Sequence, residues 1–344
     1  MAAKMTNSFK SLTMEELANN VCVDRRTLIV FHARPDADAV GSAFALRELL
    51  SLMGIPAICA CVDDVPERLL FLADGVQGSV VPEEGMPLDH ERVISVDSAS
   101  PSQLGELYNR LHKDIDLMID HHATGTAYAN NYIDPEASAT GEIIYLLGKT
   151  LLKMGNIPEL TPRFFNLVYA AICSDTGCFK YANATPRTFR IAAELIEAGV
   201  NKLTITKKLF EEKSPKQIRA EGEAARRLNL YDDGIRASVT FPYSVKESME
   251  LSEEHLETII DIPRSVAGAE VAFVVKQPED KPVFRVSMRS SSDFNVADIC
   301  AAFGGGGHVR AAGCTLRAID IREAEKQILT AVRKSMNAQK KYRA

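Results

Sequence analysis

Asp and His side chains recur at four points between residues 32 and 177 of this 344-residue chain, each time at or just after the end of an apolar run. The first point is His32-Ala33-Arg34-Pro35-Asp36-Ala37-Asp38-Ala39-Val40-Gly41-Ser42, which follows TLIVF. One imidazole and two carboxylates there stand at the carboxyl end of an expected strand, the edge at which open α/β sheets bind ligands. In an extended turn Asp36 and Asp38 point different ways, so they are able to serve two different centres. The second point is Asp97-Ser98 after RVISV, and the third is Asp120-His121-His122 closing IDLMID. The fourth is Ser174-Asp175-Thr176-Gly177 at the end of an apolar helical run. Each segment alone is an ordinary polar turn, but three strands delivering Asp or His to the same edge are harder to explain that way.

Asp36, Asp38, Asp97 and Asp175, with His32, His121 and His122, offer more oxygen and nitrogen ligands than one metal ion needs, and no sulfur. Such a set suits two hard-to-borderline divalent ions, manganese or magnesium ahead of structural zinc. Two ions about 3.5–4 Å apart activate water and neutralise charge on a phosphoryl group during in-line displacement.

Those side chains need strands of common direction to reach one edge. The first two-thirds of the chain alternates short apolar runs with helical patterns, as βαβ units of a mostly parallel, Rossmann-like sheet do. Strands are expected over 27–32, 57–62, 92–97 and 115–120. Ser100-Pro101 and Thr185-Pro186 each place an N-cap before a first-turn proline, opening helices over QLGELYNRL and RTFRIAAELIEAG, the latter closed by Gly199. Residues 214–231 read as one charged amphipathic helix and Asp232-Asp233-Gly234 as a turn. The expected organisation is therefore α/β: a metal-binding sheet domain over 1–212, a linker helix and turn over 213–234, and a smaller α/β substrate-binding domain over 235–344. In that second domain, strands are expected over 235–241, 271–276, 283–289 and 313–317, with helices over 296–303 and 321–337.

The 40 Lys+Arg against 46 Asp+Glu give a formal charge of −6, far from the dense basic surface that grips long nucleic acid. Up to residue 234 the chain carries 24 Lys+Arg and 32 Asp+Glu, and beyond it 16 and 14, so an acidic lobe precedes a faintly basic one. The seven cysteines form no C-x-x-C pair, so neither a zinc ribbon nor a disulfide framework is expected, and a reducing, cytoplasmic compartment fits. No signal-peptide core and no apolar run of bilayer length is present, so neither export nor membrane anchoring is expected. Gly304-Gly305-Gly306-Gly307 reads either as a flexible loop or as a backbone nest for an anion. With Arg289 as a planar fork and His308 beside the glycines, a site for the substrate's terminal phosphate or nucleotide end is the favoured reading.

HARPDADAVGS, VDS, DHH and SDTGCFKYANATPRT, in this order, resemble motifs I to IV of the DHH phosphoesterase family. VSMRS and FGGGGH resemble the DHH-associated C-terminal domain of its RecJ-like and NrnA-like members, so the resemblance spans about Thr27 to Arg317. It implies one ion held by His32, Asp36 and Asp97, and a second by Asp38, Asp97, His121 and Asp175, with Asp97 bridging. It further implies that His122 meets the substrate phosphate, as ligand or proton donor, and that Asp120 orients a histidine. Ala37 and Ala184 depart from the family pattern without removing a ligand.

RecJ-type exonucleases are expected to be longer, membrane-bound cyclic-dinucleotide phosphodiesterases carry transmembrane and sensory segments, and the family's pyrophosphatases carry an SRKKQ-like signature absent here. The remaining resemblance is to the stand-alone NrnA-like group. It implies a two-metal hydrolase, with manganese first and magnesium or cobalt as alternatives, acting on short oligoribonucleotides, pApA and pAp. The expected partners are short single-stranded RNA or small phosphorylated nucleotides, with no long duplex and no membrane; a homodimer is a family-level expectation. The alternatives are a cyclic di-AMP phosphodiesterase, an exopolyphosphatase-like hydrolase, and an idle nucleotide-binding regulator. The last is disfavoured because carboxylates crowded without metals only repel.

Overall fold

The computed structural model describes residues 9–73, 79–80, 89–112, 114–291 and 294–343, apart from the side chains of 79, 80, 308 and 339–343. The chain divides into two compact units, Met1–Glu212 and Lys213–Ala344.

The first unit runs α1 (Met14–Val21), β1 (Thr27–Phe31), α2 (Ala37–Leu52), β2 (Ala57–Ala60), β3 (Ser79–Val80), β4 (Arg92–Val96), α3 (Glu106–Leu111), β5 (Ile115–Asp120), β6 (Asn130–Ile133), α4 (Thr140–Met154), α5 (Pro162–Asp175), α6 (Pro186–Glu197) and α7 (Lys202–Thr206). Its six strands pair in the order β3-β2-β1-β4-β5-β6, and every pairing is parallel. All residues of β1 and β4 are buried, which explains their uninterrupted apolar runs: a parallel sheet covered on both faces has no solvent side. Ile29 and Phe31 pack on one face with α2, α4 and α5, and Leu28 and Val30 on the other with α3.

Register brings the polar motifs together. Phe31 pairs with Val96, and Val96 with Ile119, so the next residues, His32, Asp97 and Asp120, stand at one level at the end of the strands. The switch point of this strand order lies between β1 and β4, where such sheets open a crevice. Three helices close over that edge at Ala171 of α5. A Cβ on Gly41 of α2 would meet Leu167 O at 2.7 Å and Ala171 Cβ at 3.1 Å, and one on Gly141 of α4 would meet Ala171 Cβ at 2.4 Å. Asp175 lies one helical turn beyond Ala171, Asp38 one turn before Gly41, and Thr140 directly before Gly141.

The second unit runs α8 (Pro215–Arg226), β7 (Leu228–Tyr231), β8 (Arg236–Phe241), α9 (Tyr243–Ser248), α10 (Asp261–Arg264), β9 (Val271–Lys276), β10 (Val283–Ser290), α11 (Val296–Ala301), β11 (Gly306–His308), β12 (Ala311–Arg317) and α12 (Ile321–Arg343). Its mixed sheet has the order β11-β12-β10-β9-β8-β7, parallel between β8 and β9 and antiparallel elsewhere. Alternation along β9 sends Val271, Phe273 and Val275 to one core and Val274 to the other.

Three sequence expectations are corrected. The helix expected over 214–231 ends at Arg226, and Leu228–Tyr231 is a strand pairing antiparallel with β8; left-handed backbone at Asp232, Asp233 and Gly234 reverses the chain. Cross-strand pairing there outweighs the charged helical pattern. Ala220 and Ala224 of α8 are fully buried against Val239, Phe241 and Leu256, so this helix is core rather than linker. The helix expected after Ser100-Pro101 begins as a 3₁₀ turn over Pro101–Leu104, and Gly105 at φ +55° separates it from α3. β6 was not anticipated, because Asn130 and Asn131 dilute its apolar signal.

Candidate metal centre

The first group forms where β1 meets β4. His32 follows β1, and its Nε2 lies 3.7 Å from Asp36 Oδ1 and 3.6 Å from Asp97 Oδ2. Asp36 is the N-cap of α2, accepting from the N–H groups of Asp38 and Ala39 at 3.0 Å each. Asp97 is buried, with φ +55°, a left-handed conformation that costs a non-glycine residue energy and is found mostly at functional positions.

The second group stands beside it. His121 Nε2 lies 3.2 Å from Asp175 Oδ2, 3.8 Å from Asp38 Oδ2 and 3.8 Å from Asp97 Oδ1. Asp97 therefore turns Oδ2 to one group and Oδ1 to the other. Asp38 has no exposed surface; it accepts from Ser42 Oγ at 2.8 Å, Thr140 N at 2.8 Å and Gly141 N at 3.0 Å. Asp120 Oδ1 lies 2.7 Å from His122 Nδ1, so the histidine this aspartate orients is His122. The Nδ1 of His122 is 3.9 Å from Asp97 Oδ1.

The donor chemistry fits divalent cations. His32 Nδ1 faces Ala33 O at 2.9 Å and His121 Nδ1 faces Ala137 O at 3.2 Å. A carbonyl oxygen only accepts, so Nδ1 carries hydrogen and Nε2 is left as the ligand atom. Donor atoms of His32, Asp36 and Asp97 lie within 4.8 Å of one another, as do those of Asp38, His121 and Asp175. The titration pattern says the same. Burial disfavours charge on His32, yet Asp36 and Asp97 override it and raise the imidazole to about 12. Burial likewise opposes charge on His121, but Asp175, Asp38 and Asp97 raise it to about 11. Burial, reinforced by Asp97 and Asp175, pushes Asp38 well above the carboxylate range, and Asp175 is raised by burial despite His121. Asp97, although buried, is held below that range by His32, His121 and His122. Without metal, protons take the place of cations in an over-negative pocket.

His32, Asp36, Asp38, Asp97, His121 and Asp175 thus come together, with His122 and Asp120 adjoining. Thr140, Gly141, Ser42 and Asn183 were missed as site residues. Thr140 Oγ1 donates to Asp97 Oδ1 at 2.8 Å, and Asn183 Nδ2 donates to Asp175 O at 3.1 Å. SATGE at the start of α4 is the sequence signal for Thr140 and Gly141.

Arg289, Gly304, Gly305, Gly306, Gly307 and His308 belong to the second unit. Arg289 pairs with Ala311, which also pairs with His308, so the three are in register; the side chain of His308 lies outside the described residues. The glycine run is partly strand rather than loop, since Gly306 and Gly307 pair with β12. A Cβ on Gly305 would meet Gly313 O at 2.2 Å, and one on Gly307 would meet Ala311 O at 2.5 Å, whereas Gly304 and Gly306 face open space. Two of the four glycines thus have a packing reason.

Residues 26–172 match the N-terminal domain of the DHH family and residues 241–338 match the DHHA1 domain. A bifunctional oligoribonuclease and PAP phosphatase NrnA of Thermus thermophilus is 30% identical over 309 residues, 90% of this chain and 89% of the relative. The chain belongs to the DHH family. The fold of this DHH protein also resembles a solved exopolyphosphatase-related protein from Bacteroides fragilis, with a TM-score of 0.85 at 21% identity, covering 95% of this chain and 97% of that one. A solved RecJ exonuclease bound to manganese is more distant, with a TM-score of 0.50 at 14% identity, covering 94% and 96%. Among the described residues no helix is long and apolar enough to cross a membrane.

Proposed function

We propose that this DHH protein is a two-metal phosphoester hydrolase of short oligoribonucleotides, pApA and pAp. The observation that carries the reading is Asp97 facing two donor groups, His32 with Asp36 and His121 with Asp38 and Asp175. In this reading those six side chains hold two divalent ions, manganese first, which supply Lewis acidity and an activated water for phosphoryl transfer. His122, oriented through Nδ1 by Asp120, contacts the phosphate or gives a proton to the leaving oxygen. Arg289 and the open backbone at Gly304 and Gly306 bind the far phosphate. The NrnA relative supports the choice of short nucleotides. All seven cysteines are free thiols, which supports a reducing cytoplasm as the site of action.

The test is a manganese-supplemented panel of pAp, pApA, short RNA, cyclic di-AMP and polyphosphate, ranked by kcat/KM. Highest values are expected for pApA, short RNA and pAp, with activity abolished by chelation. Polyphosphate or cyclic di-AMP at the top of the ranking, or hydrolysis that survives chelation, overturns the proposal.

A further inference from the structure

The segment from Ala137 to Glu142 touches three of the facing donors. Ala137 O meets His121 Nδ1 at 3.2 Å, Thr140 N and Gly141 N donate to Asp38 at 2.8 and 3.0 Å, and Thr140 Oγ1 donates to Asp97 at 2.8 Å. The α4 N-cap, Ala139, has no capping side chain. Asp38 of α2 therefore takes the orphan N–H groups that a local cap normally satisfies, and the helix dipole favours its charge. Without a cap of its own, the segment needs another anchor.

That anchor is Glu142, which has no exposed surface and lies outside the donor set. Its Oε2 accepts from Ser138 N at 3.2 Å, Ser138 Oγ at 2.6 Å and Thr188 Oγ1 at 3.0 Å. Its Oε1 accepts from Arg187 Nε, and Arg187 also reaches Asp134 Oδ2 at 3.0 Å. Asp134 N in turn donates to Asp120 O at 3.1 Å. Arg187 and Glu142 thus pin both ends of the loop between β6 and α4.

We propose that Glu142, with Arg187 as its counter-charge, is a positioning pair that sets the donor geometry of Asp38, His121 and Asp97, and through it the divalent-ion affinity of the group around His121 and Asp175. The inference rests on reading the cluster as a metal centre. Partners behind metal ligands typically change affinity by about 10–100-fold when removed.

The experiment titrates metal-free wild type, Glu142→Gln, Arg187→Lys and the control Lys149→Gln, which removes an exposed ion pair between the same two helices, with Mn²⁺, followed by calorimetry and by the Mn²⁺ electron paramagnetic resonance signal. Wild type and the control are expected to bind two ions. In Glu142→Gln one step weakens by about 10–100-fold while the other stays within about twofold. Arg187→Lys, which keeps the charge but loses the fork, gives a smaller loss at the same step. Hydrolysis of pApA by Glu142→Gln falls at low Mn²⁺ and returns at high Mn²⁺, with KM for the nucleotide unchanged. Wild-type affinity at both steps in Glu142→Gln overturns the pair, as does weakening of both steps together with the thermal midpoint, which marks a folding role alone. A wild type that binds no Mn²⁺ instead overturns the metal-centre reading and the inference with it.

Discussion

In the second unit Glu253 sits among three cations, with Lys246 at 2.7 Å, Lys276 at 3.7 Å and Arg285 at 3.7 Å. In the first unit Asp38, Asp97 and Asp175 share one pocket with His32, His121 and His122 as the neighbouring bases. Glu253 is lowered from its ordinary value: burial opposes this, but Lys246, Lys276 and Arg285 prevail. Asp38 is pushed well above its ordinary value, and Asp175 is raised too. Glu253 is neutralised by its own chain, whereas the Asp38, Asp97 and Asp175 cluster leaves a deficit of positive charge that divalent cations would fill. A region that needs a ligand is recognisable by charge its own chain does not balance.

The largest effect that can break this contrast is Asp97→Asn. It should lower pApA hydrolysis by on the order of 10³-fold or more, because the charge facing both donor groups is lost; retained kcat would show that Asp97 links nothing. Next, Arg289→Ala should raise KM for dinucleotides by about 10–100-fold, the scale of a charge-assisted hydrogen bond. A minimal activated phosphodiester should be hydrolysed as before, and equal loss on both substrates would move Arg289 into chemistry or folding. Third, Gly305→Ala should destabilise the protein by about 1–3 kcal/mol in denaturant titration, as overpacking against β12 does, while Gly306→Ala should stay within about 0.5 kcal/mol. Equal losses would remove the distinction between packing and open glycines.

The remaining check is with pH. In the metal-free protein His32 and His121 have folded pKa values raised to about 12 and about 11. The folded state therefore binds more protons than the unfolded state above the ordinary histidine pKa of about 6.5. The stability these residues confer is present below that value and is lost as pH rises towards 11 and 12. Mn²⁺ affinity should move in the opposite direction, rising with pH as the ion displaces those protons. Thermal midpoints without metal and calorimetric affinities at a series of pH values check both signs. A metal-free midpoint that rises above pH 7 would contradict the over-negative pocket.

The legible parts of the chain were those where local pattern and final environment agree. β5 occupies Ile115–Asp120 as read, because its apolar residues supply both faces of a covered sheet, Leu117 and Ile119 to one core and Ile115 and Met118 to the other. Thr185 caps α6 through Thr188 N, a contact between residues three apart. Less legible were places where a distant partner decides. Leu228–Tyr231, uncharged itself, reads as the end of the charged helical pattern that precedes it, yet it becomes a strand because β8 lies opposite. Gly305 looks like part of a flexible run, but the backbone of Gly313 leaves no room for a Cβ. Glu142 reads as an ordinary acid in a first helical turn, and nothing local announces that Arg187 will meet it.

The order of residue types along the chain by itself determined an α/β sheet with Asp and His at the ends of its apolar strands, because burial on both faces and the reversal of direction at strand ends are local requirements. Tertiary structure alone decided the grouping of those donors. Asp36 and Asp38 are two residues apart, but one faces His32 and the other His121. Asp38 finds its hydrogen-bond donors at Thr140 and Gly141, over a hundred residues away in sequence. That meeting depends on close packing of α2 and α4 against Ala171, a contact that no periodicity within either helix encodes.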